Sequence, residues 1–210
     1  MAKLREAQGG REILRGQRSV VLASASPRRK ELLMQIGITP EVVPSRVVEH
    51  ITSTEPAQVV LELSGQKADE VALRLGRPDT VVIGSDTVVS IGGRILGKPE
   101  NREAAFWMLT ELQGSSHEVY TGVTLRLGKR RRQFAVKTRV DVYPVTPEEI
   151  NRYLDTGDSM DKAGAYGIQG QFAAHIRGIE GSYTNVMGLP VGRLYQELKA
   201  LCGQEEEGDA

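Results

Sequence analysis

Apolar and polar positions along this chain follow two periods, and each change of period marks an element boundary. Val20-Val21-Leu22-Ala23 is an uninterrupted apolar run, as expected of a strand buried on both faces. The polar turn Ser24-Ala25-Ser26 follows. Ser26 then suits an N-cap, and Pro27 a first helical position where its missing N–H does no harm. Leu32, Leu33 and Ile36 give the helix an apolar face, and Gly37 ends it. The pattern predicts a strand over about Ser19–Ala23 and a second over Glu41–Pro44. A long helix over Pro56–Leu75 comes next, capped by Ser53 or Thr54, with the stripe Val60, Leu63, Val71, Leu75. Lys67 falls inside that stripe.

In the second half, Thr80–Val89 reads as strand, Gly92-Gly93 as a hairpin turn and Arg94–Gly97 as the return. Counting back from the turn sets Lys98 opposite Thr87. Strict register then puts Lys98 and Asp86 on opposite faces, whereas a bulge at Gly97 would unite them. Glu100–Gln113 is an amphipathic helix stopped by Gly114. Strands over Val123–Leu127 and Gln133–Tyr143 flank the turn Gly128-Lys129, with Arg130–Arg132 read as a solvated hairpin end. Thr146-Pro147-Glu148-Glu149 is a capping box that opens a helix over Pro147–Asp155. A Gly-rich loop, Asp161–Gly170, leads to a short strand at Phe172–Ile176 and a last helix over Val191–Leu201. These elements describe one α/β domain over 19–202. Residues 1–18 read as a loosely ordered extension and 203–210 as a disordered acidic tail.

Composition narrows the function classes. The 210 residues are 40% hydrophobic and 26% charged, enough for a sizeable core. Basic and acidic residues number 27 each, so the net charge is zero, which opposes broad nucleic-acid binding but leaves room for a local basic cleft. The single cysteine, Cys202, excludes an intrachain disulfide framework and a cysteine zinc site. His50, His117 and His175 lie far apart and show no metal-ligand spacing. No apolar run reaches membrane-span length and no signal-peptide pattern opens the chain, so a reducing, cytoplasmic setting is expected.

Charge placement then points to chemistry. Arg28, Arg29 and Lys30 crowd the first turn of a helix, the end where the dipole is already positive. With the hydroxyls of Ser24 and Ser26 they form a cradle for phosphate. Lys67 is either a lysine passing the edge of the core or a further phosphate cation. Adding Lys98, the carboxylates Glu49 and Asp86, and the neutral groups Thr87 and Gln169 gives a set suited to a polyphosphate and Mg²⁺. The chain has no G-x-x-x-x-G-K-[ST], no G-x-G-x-x-G after its first strand and no G-x-S-x-G, so hydrolysis by an activated water is the simplest chemistry.

Seven motifs occur in order: Leu22-Ala-Ser-Ala-Ser-Pro-Arg-Arg, Gln66-Lys67-Ala68, Gly84-Ser-Asp-Thr-Val-Val, Gly97-Lys-Pro, His117-Glu-Val-Tyr-Thr-Gly, Asp161-Lys-Ala-Gly-Ala-Tyr-Gly-Ile-Gln-Gly and Gly181-Ser-Tyr-x-Asn-Val-x-Gly-Leu-Pro. Over about residues 19–201 this set resembles the Maf family of nucleoside triphosphate pyrophosphatases. The resemblance implies an inosine triphosphatase-like α/β fold, with a mixed elongated sheet, flanking helices and two lobes around a central cleft. It implies a divalent cation, Mg²⁺ or Mn²⁺, and in many members a homodimer. It also implies hydrolysis between the α- and β-phosphates, and Tyr-Gly-Ile-Gln-Gly resembles the branch acting on dTTP and UTP.

By that resemblance Asp86 is the proton acceptor, aided by Lys67 and Lys98. Arg28, Thr87 and Gln169 set substrate choice, and Ser24, Arg28, Arg29, Lys67 and Lys98 face phosphate. Glu49 and Asp86 hold metal. Ser45–His50 departs from the family's more acidic form of this stretch. Two rivals are the same reaction on 7-methyl-GTP or modified nucleotides, and a nucleotide-binding regulator of septum formation without catalysis. Neither nucleic acid nor membrane is expected as a partner.

Overall fold

In the computed structural model the described residues are 18–203, so the expectations for the N-terminal extension and the acidic tail fall outside them, apart from their innermost residues. The chain forms one seven-stranded mixed sheet, ordered β2-β1-β3-β5-β6-β7 with β4 also on β3. The strands are β1 (Val20–Leu22), β2 (Glu41–Val42), β3 (Val81–Ile91), β4 (Arg94–Leu96), β5 (Ser116–Leu127), β6 (Arg130–Val142) and β7 (Ile176–Glu180). β1 pairs in parallel with β2 and β3, and all other pairings are antiparallel. The helices are α1 (Pro27–Gln35), α2 (Pro56–Leu75), α3 (Arg102–Leu112), α4 (Pro147–Asp155), α5 (Tyr183–Val186) and α6 (Val191–Gly203).

Strand alternation divides β3 between two cores. Val82 packs with Val71 of α2, and Val88 with Val59, Val60 and Leu63 of the same helix. Val81, Ile83 and Val89 join the larger cluster that also holds Leu32, Leu109, Leu194 and Leu198 from α1, α3 and α6. Two glycines let α2 lie unusually close to the sheet. A Cβ on Gly84 would stand 2.2 Å from the Ser64 carbonyl oxygen, and one on Gly122 2.2 Å from that of Val60. No real side chain fits at that distance, so the helix backbone rests on bare strand.

Several boundaries differ from the sequence reading, each for a physical reason. β5 begins at Ser116, because His117, Val119 and Thr121 alternate inward as part of the same strand. Ser53 and Thr54 do not cap α2. Glu55 holds the cap position, the Ser53 hydroxyl accepts from the Glu55 N–H at 3.1 Å, and neighbouring Thr52 bonds Glu62 further along the helix. α3 starts only at Arg102, where Asn101 accepts from the Ala104 N–H at 2.8 Å. The strand expected at Phe172–Ile176 is a 3-10 turn over Gln171–His175 followed by β7, since Phe172 is fully buried between Tyr153 and Tyr166. Arg130–Arg132 is not a solvated hairpin end. Arg130 donates to the Leu201 carbonyl in the last turn of α6 at 3.0 Å, and Arg132 meets Glu197 at 2.6 Å. Cations thus sit at the negative end of that helix.

Candidate active site

The cleft exists because the sheet is interrupted. β5 pairs one edge of β3 from Val82 to Ser90. On the other edge β1 covers only Val81–Ile83 and β4 only Val89–Ile91, so Gly84–Val88 has no strand partner there. A cavity of about 1160 Å³ opens at this gap, and Asp86 and Thr87, from opposite faces of the strand, both border it. The structure brings all the predicted site residues to this one cavity: Ser24, Arg28, Arg29, Glu49, Lys67, Asp86, Thr87, Lys98 and Gln169. It also settles the two alternatives for Lys98. β4 ends at Leu96 and the chain leaves the ladder, so Lys98 and Asp86 reach the same cavity without paired register.

The close seat of α2 on Gly84 and Gly122 brings Lys67 down onto the even-numbered face of β3. Its ammonium bonds Asp86 Oδ1 and also Glu49 Oε1, the latter at 2.9 Å. Lys67 therefore interacts with the site and does not merely pass the core edge. One ammonium draws together two carboxylates from distant parts of the chain. Lys67 and Asp86 are both largely shielded, which strengthens the pair relative to a surface one. Asp86 Oδ2 has no hydrogen-bond partner among the described residues.

On the opposite face of β3, Arg29 is built into the floor. Its Nε donates to the Gly188 carbonyl at 2.9 Å, Nη1 to Ser24 Oγ at 2.9 Å and Nη2 to Thr87 Oγ1 at 3.1 Å. Ser85 Oγ shares the Gly188 carbonyl, and Thr87 Oγ1 lies 2.9 Å from Thr121 Oγ1. Burial pushes the Arg29 guanidinium below its usual range. Asp86 opposes that shift and Arg28 adds to it. A buried guanidinium with no carboxylate bonded to it favours an anion in the adjoining cavity. Its terminal nitrogens still carry N–H groups beyond the three bonds described.

The remaining cations behave differently. Arg28 lies at the rim, paired with Asp161 at 2.9 Å across the cleft from the Gly-rich loop. Lys98 and Gln169 are exposed and make no hydrogen bond or ion pair with the described residues. That loop is pinned from beneath: the Lys162 ammonium holds Asp158 and Asp161, each at 2.7 Å. Sequence reasoning assigned no role to Asp158 or Lys162, although Lys162 stands in a quoted motif and both line the cavity. It also assigned none to His117, whose Nε2 lies 2.7 Å from the buried Tyr166 hydroxyl. Burial lowers the His117 imidazole to about 4, with Asp141 acting weakly the other way. The ring is thus neutral at pH 7.

An interrupted α/β sheet with cations, carboxylates and a Gly-rich loop around the break forms an open cleft whose converging polar groups suit a polyanionic small molecule. The family model described as Maf-like protein matches residues 19–201, and this chain belongs to that family. A dTTP/UTP pyrophosphatase of Agathobacter rectalis is 54% identical, over 87% of this chain and 97% of the relative. One of Carboxydothermus hydrogenoformans is 50% identical, over 86% and 97%. The Ham1 protein of Staphylococcus aureus shares the fold, with a TM-score of 0.50 at 12% identity over 87% of this chain and 99% of that one. No helix among the described residues is long and apolar enough to cross a membrane.

Proposed function

We propose that this protein hydrolyses nucleoside triphosphates to the monophosphate and pyrophosphate, with dTTP and UTP as preferred substrates. The constellation of Asp86, Lys67 and Glu49 at the break in the sheet carries the reading, and the names of relatives sharing half of its residues support it. A water oxygen forms a bond to the α-phosphorus. The bond from that phosphorus to the α,β-bridging oxygen breaks, and its electron pair leaves with pyrophosphate. Asp86 takes the proton of the attacking water, and the Lys67 ammonium, bonded to Oδ1, orients its carboxylate for that role.

Arg29 and the Ser24 hydroxyl supply donors in a water-poor floor, where they stabilise negative charge most. Lys98 and Arg28 neutralise the outer phosphates, Arg28 exchanging Asp161 for substrate. Gln169 offers one donor and one acceptor, matching the N3–H and a carbonyl of uracil or thymine. Thr87 and Arg28 share in that choice.

The donor set suits Mg²⁺ or Mn²⁺. Glu49 and Asp86 are hard oxygen ligands drawn to a common point, and such ions are commonly held by one or two carboxylates plus substrate phosphates. When bound, the cation supplies charge neutralisation at the phosphates and acidifies water. Among the described residues no group of three or more His, Cys, Asp or Glu is placed to hold a metal by itself.

The test is product analysis by ion-exchange chromatography, offering the common nucleoside triphosphates and 7-methyl-GTP with Mg²⁺. Monophosphate and pyrophosphate from dTTP and UTP are expected. Cleavage of 7-methyl-GTP alone would overturn the role of Gln169. Binding without turnover of any nucleotide would move the protein to the regulator class.

A further inference from the structure

Glu49 is carried by a segment, residues 43–55, that contains no helix or strand. Something other than secondary structure must fix it. One face of α2 does so, through side chains spaced four residues apart. Arg74 Nη2 donates to the Pro44 carbonyl at 3.0 Å. Glu70 Oε2 accepts from Ser45 Oγ at 2.9 Å and from the Arg46 N–H at 3.1 Å. Gln66 Oε1 accepts from the His50 N–H at 2.9 Å while its Nε2 donates to the His50 carbonyl at 2.5 Å. Glu62 accepts from the Thr52 N–H at 2.9 Å and from its hydroxyl at 2.5 Å.

Positions 62, 66, 70 and 74 thus lace the loop to the helix. Gln66 is the rung beside Glu49. It is adjacent in the helix to Lys67, which receives the Glu49 carboxylate at 2.9 Å. A primary amide carries a donor and an acceptor side by side, which lets Gln66 bond the N–H and the C=O of one residue together. Gln66 also belongs to a quoted motif of which the proposed chemistry uses only Lys67.

We propose that Gln66 is a positioning residue: by clamping both polar groups of His50 it holds Glu49 at the cation site and sets the site's divalent-metal affinity. The inference rests on the reading that Glu49 and Asp86 hold the cation. Residues that orient metal ligands without touching the metal commonly carry about 10- to 100-fold of its affinity.

The experiment measures Mn²⁺ binding by EPR with a non-hydrolysable α,β-imido dUTP present, in wild type, Gln66→Leu, Glu49→Gln and the double variant. Hydrogen exchange at the His50 amide is followed in parallel. Gln66→Leu is expected to weaken Mn²⁺ about tenfold and to speed His50 exchange roughly three- to tenfold. The double variant should bind no more weakly than Glu49→Gln, because Gln66 acts only through Glu49. Gln66→Glu keeps the acceptor and loses the donor, so it should fall between Gln66→Leu and wild type; it decides the matter if Gln66→Leu does not fold. Wild-type Mn²⁺ affinity in both Gln66 variants beside a weakened Glu49→Gln would overturn the positioning role, as would multiplicative losses in the double variant. Unchanged binding in Glu49→Gln would refute the metal reading itself, and this proposal with it.

Discussion

The two sides of the cleft are made in different ways. The floor consists of β3 with α1, α2 and β5, regular elements in which α2 meets strand backbone at Gly84 and Gly122 and in which the side chains bond in pairs, Lys67 to Asp86 and Arg29 to Thr87. The rim consists of residues 43–55 and the Gly-rich loop, held in place by hydrogen bonds and ion pairs between side chains and backbone. The groups proposed for bond breaking, Asp86 and Lys67, come from the floor. Those proposed to choose or hold the ligand, Glu49, Arg28, Lys98 and Gln169, stand in or beside the rim, with Thr87 on the floor between them. A substitution in the floor should therefore change rate or stability, and one in the rim should change selectivity or metal use.

The largest effect should follow loss of the proposed base. Asp86→Asn should lower kcat by about 100- to 10,000-fold with little change in nucleotide binding, measured by steady-state kinetics and calorimetry. A loss below tenfold would break the division between floor and rim at its strongest point.

His117 tests the joint between the two sides, since it hangs from β5 and meets Tyr166 in the Gly-rich loop. Its folded-state value, about 4, is below the ordinary 6.5, so the unfolded chain binds the extra proton between those values. The resulting stability is present above pH 6.5 and is lost as pH falls toward 4, with a span of order 3 kcal/mol. His117→Gln, which can still accept from Tyr166, should flatten this part of a denaturant-unfolding pH series.

Gly122→Ala should lower stability by about 1–3 kcal/mol, because its Cβ would collide with the Val60 carbonyl and lift α2. Val48→Ala, in the rim and 90% exposed, should stay within roughly 0.5 kcal/mol of wild type by thermal melting. Gln169→Glu should leave folding intact and reduce the preference for dTTP over CTP roughly tenfold, by loss of the amide donor. An unchanged ratio in competition assays would remove Gln169 from base reading.

The smallest effect concerns the lacing of residues 43–55. Arg74 first, then the Arg46 N–H and Ser45 hydroxyl, hold Glu70 down at about 2. Its contribution is complete above the ordinary glutamate value near 4.5 and declines as pH falls from there toward 2. The protection of the Arg46 amide, relative to the free-peptide exchange rate at each pH, should fall over that interval in wild type, and Glu70→Gln should show lower, less pH-dependent protection throughout.

Much of this was legible in the sequence, for local reasons. The Thr146 capping box gives α4 its limits, and Gly92-Gly93 sets the β3–β4 register. The ordered motifs mark the predicted site residues that the structure gathers at the cleft, apart from Glu49, and they leave Asp158 unmarked. What escaped depends on distance in sequence. No period announces that β3 is left unpaired between Gly84 and Val88, because that follows from where two other strands stop. The lysine at 67 looks the same in a helical stripe whether it passes the core or meets Asp86. The arginines at 130–132 look solvated until α6, some seventy residues later, presents its carbonyls. The lacing by Glu62, Gln66 and Glu70 was missed because most of its partners are peptide groups, which every sequence has.

That last property bears on how this chain can change over generations. Gln66 grips only the main chain of His50, so that rung does not inspect the side chain it holds, whereas Glu70 takes the Arg46 N–H together with the Ser45 hydroxyl. On the proposed reading Glu49 must keep its identity for the cation, while Val48, 90% exposed, is not so constrained. Ser45–His50 departs from the acidic form of the family at this stretch, yet Glu49 still arrives at Lys67. A loop held by its main chain can be rewritten while the one letter it delivers stays in place.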